Sequence, residues 1–362
     1  MSAVELSIVL PTYNERDNVA ELVRRLDAAL QGVAWEAIFV DDDSPDGTAE
    51  TAKAIAARDT RVRCLRRVGR RGLAGACIEG ILSSSAPFVA VMDADLQHDE
   101  RALVAMLEKL RTGTCDLVAA SRYIAGGSAD SFDRSRGQLS RLATTITQKI
   151  LDVPLSDPMS GFFMLRRGRF DAIAGRLSPA GFKILLDVVA TAGPSLRVAE
   201  QSYVFGKREQ GESKFNIQIG VEFLGLIFAK VTGDLVEPRF LFFMLVGATG
   251  LVVHLIALKI ALLSGAQPFY VAQAIATFVA LTSNFALNNE LTYRDRRLKG
   301  LAMLWGFVVF CLFCSVGALT NVGIANWLYS EEPVWWVAGL AGAVMGALWN
   351  YAMSSLFVWR TR

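Results

Sequence analysis

Two carboxylates stand one residue apart after an apolar run, Val89-Ala90-Val91-Met92-Asp93-Ala94-Asp95-Leu96-Gln97-His98. Successive residues of a strand point to opposite faces, so Asp93 and Asp95 are expected to leave the strand end on the same side. Mg²⁺ and Mn²⁺ take oxygen ligands, commonly one or two carboxylates completed by substrate phosphates. Gln97, two residues further on, offers a carbonyl oxygen. Such a set suits a divalent cation held against the diphosphate of a nucleotide. Taken alone, Asp-Ala-Asp reads more readily as a solvated turn.

The elements that must position these acids change that reading. Leu6-Ser7-Ile8-Val9-Leu10 stops at Pro11, and a polar cluster, Thr12 to Glu15, leads into Val19, Leu22, Val23, Leu26 and Leu30. That is strand, loop and amphipathic helix. Glu36 to Val40 forms a second strand that runs into Asp41, Asp42 and Asp43, then Ser44-Pro45-Asp46-Gly47-Thr48 and a helix to about Arg58. Strands alternating with helices imply a parallel sheet, and in such sheets ligands bind beyond the carboxyl ends of the strands. Glu15, Asp41 to Asp43, Asp93 and Asp95 would all gather at that edge. Clustered acids repel one another unless a metal or polar ligand joins them.

Further along, the chemistry turns basic. Ser121-Arg122-Tyr123 closes a strand predicted over 116–120, Ser135 to Arg141 opens a helix running to about Leu151, and Lys207 to Lys214 forms a charged loop. An enzyme that handles both a nucleotide diphosphate and a phosphorylated acceptor needs fixed cations. Arginine suits bidentate phosphate recognition and lysine acts as a point charge. Any one of these arginines reads as surface charge; the set, placed at strand and helix ends, does not.

The chain has 362 residues and is 52% hydrophobic, too apolar for an ordinary soluble enzyme, and the excess is concentrated after Arg239. Four apolar stretches, about 240–263, 269–289, 301–328 and 334–359, are each long enough to cross a hydrocarbon core of about 30 Å. The connection after the second carries Arg294, Arg296, Arg297 and Lys299, whereas 264–268 and 329–333 have no Lys or Arg. The positive-inside rule therefore places the globular part and both termini in the cytoplasm. No signal peptide is expected, since the N-terminus runs straight into a charged globular pattern. His254 and Lys259 lie within the first span, Lys259 near enough to its outer end to snorkel. Asn284, Asn288, Asn321 and Asn350 are expected to bond neighbouring helices, and Gly247/Gly250 and Gly339/Gly342/Gly346 to provide close-packing faces that permit self-association. The segment 215–237 is apolar but interrupted by Gln218, Glu222, Lys230 and Asp234, which suggests an interfacial helix on the membrane surface. The reading is thus a globular domain over 1–214, an interfacial region over 215–237 and a membrane domain over 238–362. Five scattered cysteines fit a reducing compartment without a disulfide framework.

The PTYNE segment at Pro11 to Glu15, Asp42-x-Ser44-Pro45-Asp46-Gly47-Thr48, Asp93-Ala94-Asp95-Leu96-Gln97-His98, Ser121-Arg122-Tyr123, Ser160-Gly161-Phe162-Phe163 and Arg208-Glu209-x-Gly211-x-Ser213-Lys214 together resemble the family 2 glycosyltransferases. Within them the likeness is to the polyprenyl-phosphate glycosyltransferases, most of all the dolichol-phosphate mannose synthase type. The four spans, opening with Arg239-Phe240-Leu241, resemble a GtrA-like membrane domain. The resemblance implies a Rossmann-like GT-A α/β domain with a mostly parallel sheet, followed by an all-α transmembrane domain. It places metal ligands for Mg²⁺ or Mn²⁺ on Asp93, Asp95 and Gln97. Nucleotide contacts fall on Pro11, Tyr13, Glu15, Val40, Asp42, Asp93 and Ala94. Acceptor phosphate or transferred sugar falls to Arg122, Arg136, Ser140, Arg208 and Lys214. One departure is Ala74, where many relatives have glycine in a loop near the nucleotide.

The implied reaction moves one hexose from a nucleotide sugar, GDP-mannose in preference to UDP-glucose, to the phosphate of a membrane polyprenol, with inversion. A phosphate monoester is already largely anionic near neutral pH, so positioning and charge relief matter more than a strong base. Asp157 is a candidate base or sugar-hydroxyl ligand. Two histidines in the whole chain, one of them in a span, argue against His-based catalysis. No GxxxxGK[ST] loop is present, which argues against an NTPase, and no Gln-x-x-Arg-Trp motif, which argues against a processive synthase. Nothing points to nucleic acid. The non-enzymatic alternative is a lipid-linked sugar flippase whose globular part merely binds nucleotide.

Overall fold

A computed structural model describes residues 3–124, 147–148, 153–179, 183–206, 225–228, 230, 238–265, 269–293, 296–331 and 335–359. The chain divides into two compact units, 1–233 and 234–362, and each is treated by itself.

The first unit is built on a seven-stranded sheet of β1 (Leu6–Thr12), β2 (Trp35–Asp41), β3 (Val62–Arg66), β4 (Phe88–Val91), β5 (Leu117–Ser121), β6 (Phe163–Arg166) and β7 (Val198–Ser202), in the order β3-β2-β1-β4-β6-β5-β7. Strands β1 to β4 run parallel, and β7 runs parallel to β5. β6 is antiparallel to both of its neighbours. The expectation of a mostly parallel sheet therefore holds with one reversed strand, and that strand begins at the Ser160-Gly161-Phe162-Phe163 motif. Helices α1 (Arg16–Ala29), α2 (Thr48–Ala56), α3 (Leu73–Leu82) and α4 (Ala102–Arg111) supply the crossovers; the short α5 (Arg167–Asp171) and α6 (Ile184–Ala192) follow β6.

Every residue of β1 and β2 is buried, because helices cover both faces of the sheet. Leu6, Ile8 and Leu10 face one core layer with Leu22 and Leu26 of α1 and Leu103, Met106 and Leu107 of α4. Val9, Ile38 and Val40 face the other, with Cys77 and Ile81 of α3 and Ile184, Leu185 and Val188 of α6. The period-2 alternation of the strands thus divides the apolar residues between two layers. Of the segment expected to lie on the membrane surface, only 225–228 and 230 are described. There Ile227 is buried, Leu226 packs on the second layer, and Lys230 Nζ lies 2.8 Å from Asp187 Oδ1 of α6.

The second unit holds four long apolar helices, α7 (Pro238–Leu263), α8 (Phe269–Leu287), α9 (Leu301–Glu331) and α10 (Trp335–Met353), each long and apolar enough to cross a membrane. The chain is a multi-pass membrane protein. α7 pairs with α8 and α9 with α10 as two hairpins. Within them the glycine reading holds in part: Gly250 packs directly on Asn284, and Gly317, which no spacing marked, packs on Asn350. A side chain at either glycine would collide with the asparagine amide. A β-carbon at Gly247 would meet nothing, and Asn288 serves its own turn, accepting from Thr292 Oγ1 at 2.7 Å.

Each hairpin ends in the same way. After α8 a π-helical turn, Asn288–Thr292, leads to Tyr293; after α10 another, Ser354–Val358, leads to Trp359. Both aromatic N–H groups close the turn on the carbonyl five residues back, Tyr293 on Asn288 at 2.8 Å and Trp359 on Ser354 at 2.9 Å. The two rings stack, with centroids 4.2 Å apart and planes 3° from parallel. Trp359 Nε1 donates to Asn289 Oδ1 at 3.0 Å, and the Tyr293 hydroxyl bonds Ser355 Oγ at 2.7 Å. Each aromatic thus reaches the residue four before the other. The segments Asn284-Phe285-Ala286 to Tyr293 and Asn350-Tyr351-Ala352 to Trp359 are a structural repeat.

Candidate active site

The direction of the strands brings the ends of β1, β2, β3, β4, β5 and β7, and the start of β6, to one edge of the sheet. The loops that leave this edge carry the site.

On one side the loops after β1 and β2 are laced together. The Asn14 N–H donates to Ser44 Oγ at 3.0 Å, the Glu15 N–H to Thr48 Oγ1 at 3.0 Å and the Arg16 N–H to Asp46 Oδ2 at 3.2 Å. Buried Asp41 holds the base of the turn, accepting from the Ser44 hydroxyl at 2.6 Å and the Ser44 N–H at 2.9 Å. Asn14 and Asp43 take left-handed backbone (φ 62° and 60°), and small polar residues tolerate that region best among side-chain-bearing types. The Ser-Pro-Asp-Gly-Thr sequence is therefore a clasp between two loops. Asp42 is also buried. It pairs with the buried Arg67 guanidinium and accepts the Gly72 N–H at 2.6 Å, which pins the loop after β3. Burial pushes the Asp42 carboxyl above its ordinary range, against the Gly72 and Arg67 contacts that lower it. From the same loop Arg71 lies over the exposed Tyr13 ring, 4.7 Å from its centroid.

At the centre, β4 ends at Val91, two residues before Asp93. The acids are not strand residues, so the strand-end argument for their shared side is corrected. Their common orientation survives for a different reason: Asp93, Asp95 and Gln97 are half-buried and alternate with buried Ala94, Leu96 and His98. Leu96 takes φ 62° to let the loop turn. The turn is braced by the Gln97 N–H on Asp95 Oδ1 at 3.2 Å, Gln97 Nε2 on the Gly206 carbonyl at 3.1 Å and the Gly206 N–H on the Gln97 carbonyl at 2.8 Å. His98 is enclosed by Phe162, Tyr203 and Phe205, with ring centroids 5.2 to 5.6 Å away. Its Nε2 lies 3.4 Å from Asp93 Oδ2.

On the other side Arg122, at the end of β5, meets Asp157 in a bidentate pair, Nε to Oδ2 at 2.7 Å and Nη2 to Oδ1 at 3.0 Å. The Asp157 side chain is 0% exposed and that of Arg122 9%. The Ser156 N–H and hydroxyl both donate to Glu200 Oε1 at 2.8 Å, anchoring the Asp157 loop to β7.

Comparison with known proteins follows this division of the chain. Residues 7–173 match the glycosyl transferase family 2 domain, and residues 242–359 match the GtrA/DPMS transmembrane domain. The dolichol-phosphate mannosyltransferase of Pyrococcus furiosus is 33% identical over 364 residues, covering 99% of this chain and 100% of its own. The chain belongs to the family 2 glycosyltransferases, joined to a GtrA-type membrane domain. The Saccharomyces cerevisiae dolichol-phosphate mannosyltransferase is 32% identical over 233 residues, covering 61% of this chain and 85% of its own. Among solved structures, a glucosyl-3-phosphoglycerate synthase from Mycobacterium tuberculosis aligns with a TM-score of 0.49 at 17% identity, over 64% of this chain and 81% of that one, too distant to bear on chemistry.

In this glycosyltransferase the edge gathers Tyr13, Glu15, Asp42, Asp93, Ala94, Asp95, Gln97, Arg122 and Asp157 on the loops just described, with Pro11 and Val40 buried near the ends of β1 and β2. Arg136, Ser140, Arg208 and Lys214 lie outside the described residues. Among the described residues no three His, Cys, Asp or Glu side chains group to hold a metal ion alone. The donor set at Asp93 and Asp95 nevertheless fits a divalent cation that takes its remaining ligands from substrate phosphates and water. Gln97 suits it as well: its Nε2 is engaged by Gly206, so Oε1 is the end left to offer.

Gly161 is a requirement that the motif contained without explanation. A β-carbon there would stand 2.6 Å from Asp93 Oδ2. Gly161→Ala is expected to displace Asp93 and lower kcat by about 10- to 100-fold with circular dichroism unchanged, as steady-state rates would show. Sequence reasoning also missed Arg67, the partner of Asp42. Arg67 was within reach, since an unpaired acid at a strand end asks for a counter-charge.

Proposed function

We propose that this glycosyltransferase transfers a single mannose from GDP-mannose, with inversion, to the phosphate of a membrane polyprenol at the cytoplasmic face. The observation that carries the reading is the end-to-end match, through both units, with a dolichol-phosphate mannosyltransferase. The edge supports it chemically, because it carries both carboxylates suited to a nucleotide-bound cation and an arginine suited to a phosphate. On this reading Asp93, Asp95 and Gln97 hold Mg²⁺ or Mn²⁺. Such a cation, when bound, stabilises charge on the leaving diphosphate.

The clasped loops after β1 and β2 place Tyr13, Glu15 and Asp42 for the nucleotide, and Asp42 acts partly by fixing the Arg67–Gly72 loop. Asp157 presents both of its oxygens to Arg122, so its part is to aim the guanidinium rather than to take a proton. Arg122, with Arg136, Ser140, Arg208 and Lys214, receives the acceptor phosphate, whose oxygen attacks the anomeric carbon opposite the leaving group. No general base is needed for an oxygen already ionised. The basic connection after α8 supports cytoplasmic placement of the globular unit.

The test is label transfer into organic-extractable lipid by the purified full chain, supplied with dolichyl or undecaprenyl phosphate and Mg²⁺ or Mn²⁺. Metal-dependent label from GDP-mannose is expected. Label from UDP-glucose alone would overturn the sugar assignment, and label from neither would overturn the transfer reaction.

A further inference from the structure

The last described turn of the first unit reverses the usual polarity of a surface helix. Residues 225–228 and 230 are helical, and Ile227 and Lys230, three apart, share a face. Ile227 is buried and Phe228 is exposed. The Lys230 side chain is 6% exposed, turned inward onto Asp187 of α6, whose own side chain is 3% exposed. Such a pair is a poor way to gain stability. Two desolvated charges give little over a well-packed apolar pair; what they fix is the register in which two segments meet.

Asp187 uses both of its oxygens. Oδ1 accepts from Lys230 Nζ at 2.8 Å and from Thr191 Oγ1 at 3.0 Å. Oδ2 accepts the Ser178 N–H at 2.8 Å. Lys230 Nζ also donates to Thr191 Oγ1 at 2.8 Å, so the ammonium is held from two sides. After Ser178 comes Pro179, whose carbonyl lies against the start of α3. A β-carbon would stand 3.6 Å from that oxygen at Gly72 and 3.2 Å from it at Gly75. The Arg67 guanidinium also lies against Gly75. The Gly72 N–H is held in turn by Asp42, and Arg71 of the same loop covers the Tyr13 ring. A continuous run of contacts therefore leads from Lys230 through Asp187, Ser178 and Pro179 to the loop after β3.

We propose that Lys230 is a positioning residue for the donor side of the site. By holding Oδ1 of Asp187 it aims Oδ2 at Ser178, and so seats Pro179 against the loop that carries Arg67, Arg71 and Gly72. The segment that leads into the membrane unit and the donor loop are thereby set together. Lys230 and Asp187 act through that loop and take no part in the chemistry. The inference rests on the transfer reaction proposed above, through the donor role given there to Tyr13 and Asp42. Because the contacts end on the donor loop, the quantity they govern is donor binding, not acceptor binding and not the chemical step.

The test uses the purified full chain carrying Lys230→Met, Lys230→Arg, or Lys230→Met together with Asp187→Leu. Lys230→Met strands a buried carboxylate and is expected to lower the melting temperature. The double variant fills the same space with apolar side chains and so separates positioning from folding. Its melting temperature is expected to return to the wild-type value. Its GDP affinity, measured by calorimetry, is expected to fall about five- to tenfold, with KM for GDP-mannose rising by the same factor and with kcat and KM for polyprenyl phosphate changing less than about twofold. Lys230→Arg keeps a cation on Asp187 and is expected to hold GDP affinity within about twofold of wild type. Without ligand, hydrogen exchange over 67–76 and 177–179 is expected to quicken about tenfold in the double variant. Wild-type GDP affinity, or unchanged exchange over 67–76, in the double variant would overturn the proposal and leave the pair as a fold contact. A loss confined to kcat or to KM for the acceptor would overturn it too. Absence of GDP binding and of transfer by the unsubstituted chain would instead overturn the reaction itself, and the exchange over 67–76, which needs no ligand, would still decide whether Lys230 seats that loop.

Discussion

Asp95→Ala is expected to lower transfer by about 10²- to 10³-fold or more while leaving the fold intact. Asp95 is half-buried on a loop, and its carboxylate braces the turn through the Gln97 N–H at 3.2 Å. Loss of one such contact costs about 1 kcal/mol, too little to unfold a domain with two filled core layers. The catalytic loss has another origin, because one of two carboxylates offered to a divalent cation is gone. Mn²⁺ binding in the presence of GDP, followed by electron paramagnetic resonance, should weaken in parallel with kcat. Full Mn²⁺ affinity in Asp95→Ala with transfer abolished would place the cation elsewhere. Retained transfer would remove Asp95 from the chemistry altogether.

The second large effect falls on stability. Asp157→Ala strands the Arg122 guanidinium, whose side chain is 9% exposed, without its counter-charge. Breaking a buried ion pair from one side costs about 3–5 kcal/mol, because the remaining charge stays desolvated. A loss of unfolding free energy of that size, read as a lowered midpoint multiplied by the m-value, is expected in denaturant titration of the full chain in detergent. Replacing both partners, Arg122→Met with Asp157→Leu, should recover much of the stability and none of the transfer. That separation distinguishes a pair kept for aiming a guanidinium from one kept for holding the fold. Wild-type stability in Asp157→Ala would show that the pair is solvated after all.

The site was legible where chemistry sits close together in sequence. Asp93, Asp95 and Gln97 fall within five residues, and the loops after β1 and β2 follow strands whose apolar runs are plain. What stayed hidden depends on contacts between distant segments. Asp157 reads as a candidate base in isolation, and only the fold, bringing it to Arg122 across 35 residues, shows both oxygens occupied. β6 is four residues long and reverses the sheet, and nothing in Phe163-Met164-Leu165-Arg166 announces a direction. The apolar run reads one residue past the end of β4 because Met92 is as apolar as the strand before it. In the membrane unit, Gly250 belongs to a small-residue pattern, whereas Gly317 belongs to no such spacing and is explained by Asn350 and Gly346 packed against it. The repeat at the hairpin ends is not visible in the sequence because its two copies share asparagine and alanine at their start and little else.

That repeat bears on how the membrane unit holds together. Tyr293 reaches Ser355 while Trp359 reaches Asn289, so each half gives the other what it receives. In assemblies this reciprocity is the mark of an isologous contact, the kind by which two identical subunits close around a twofold axis. Here both halves lie on one chain. A contact between separate subunits is lost on dilution in the bilayer, whereas one between tethered halves is governed by the effective concentration of the tether. The aromatic joint therefore holds in a single molecule at any abundance.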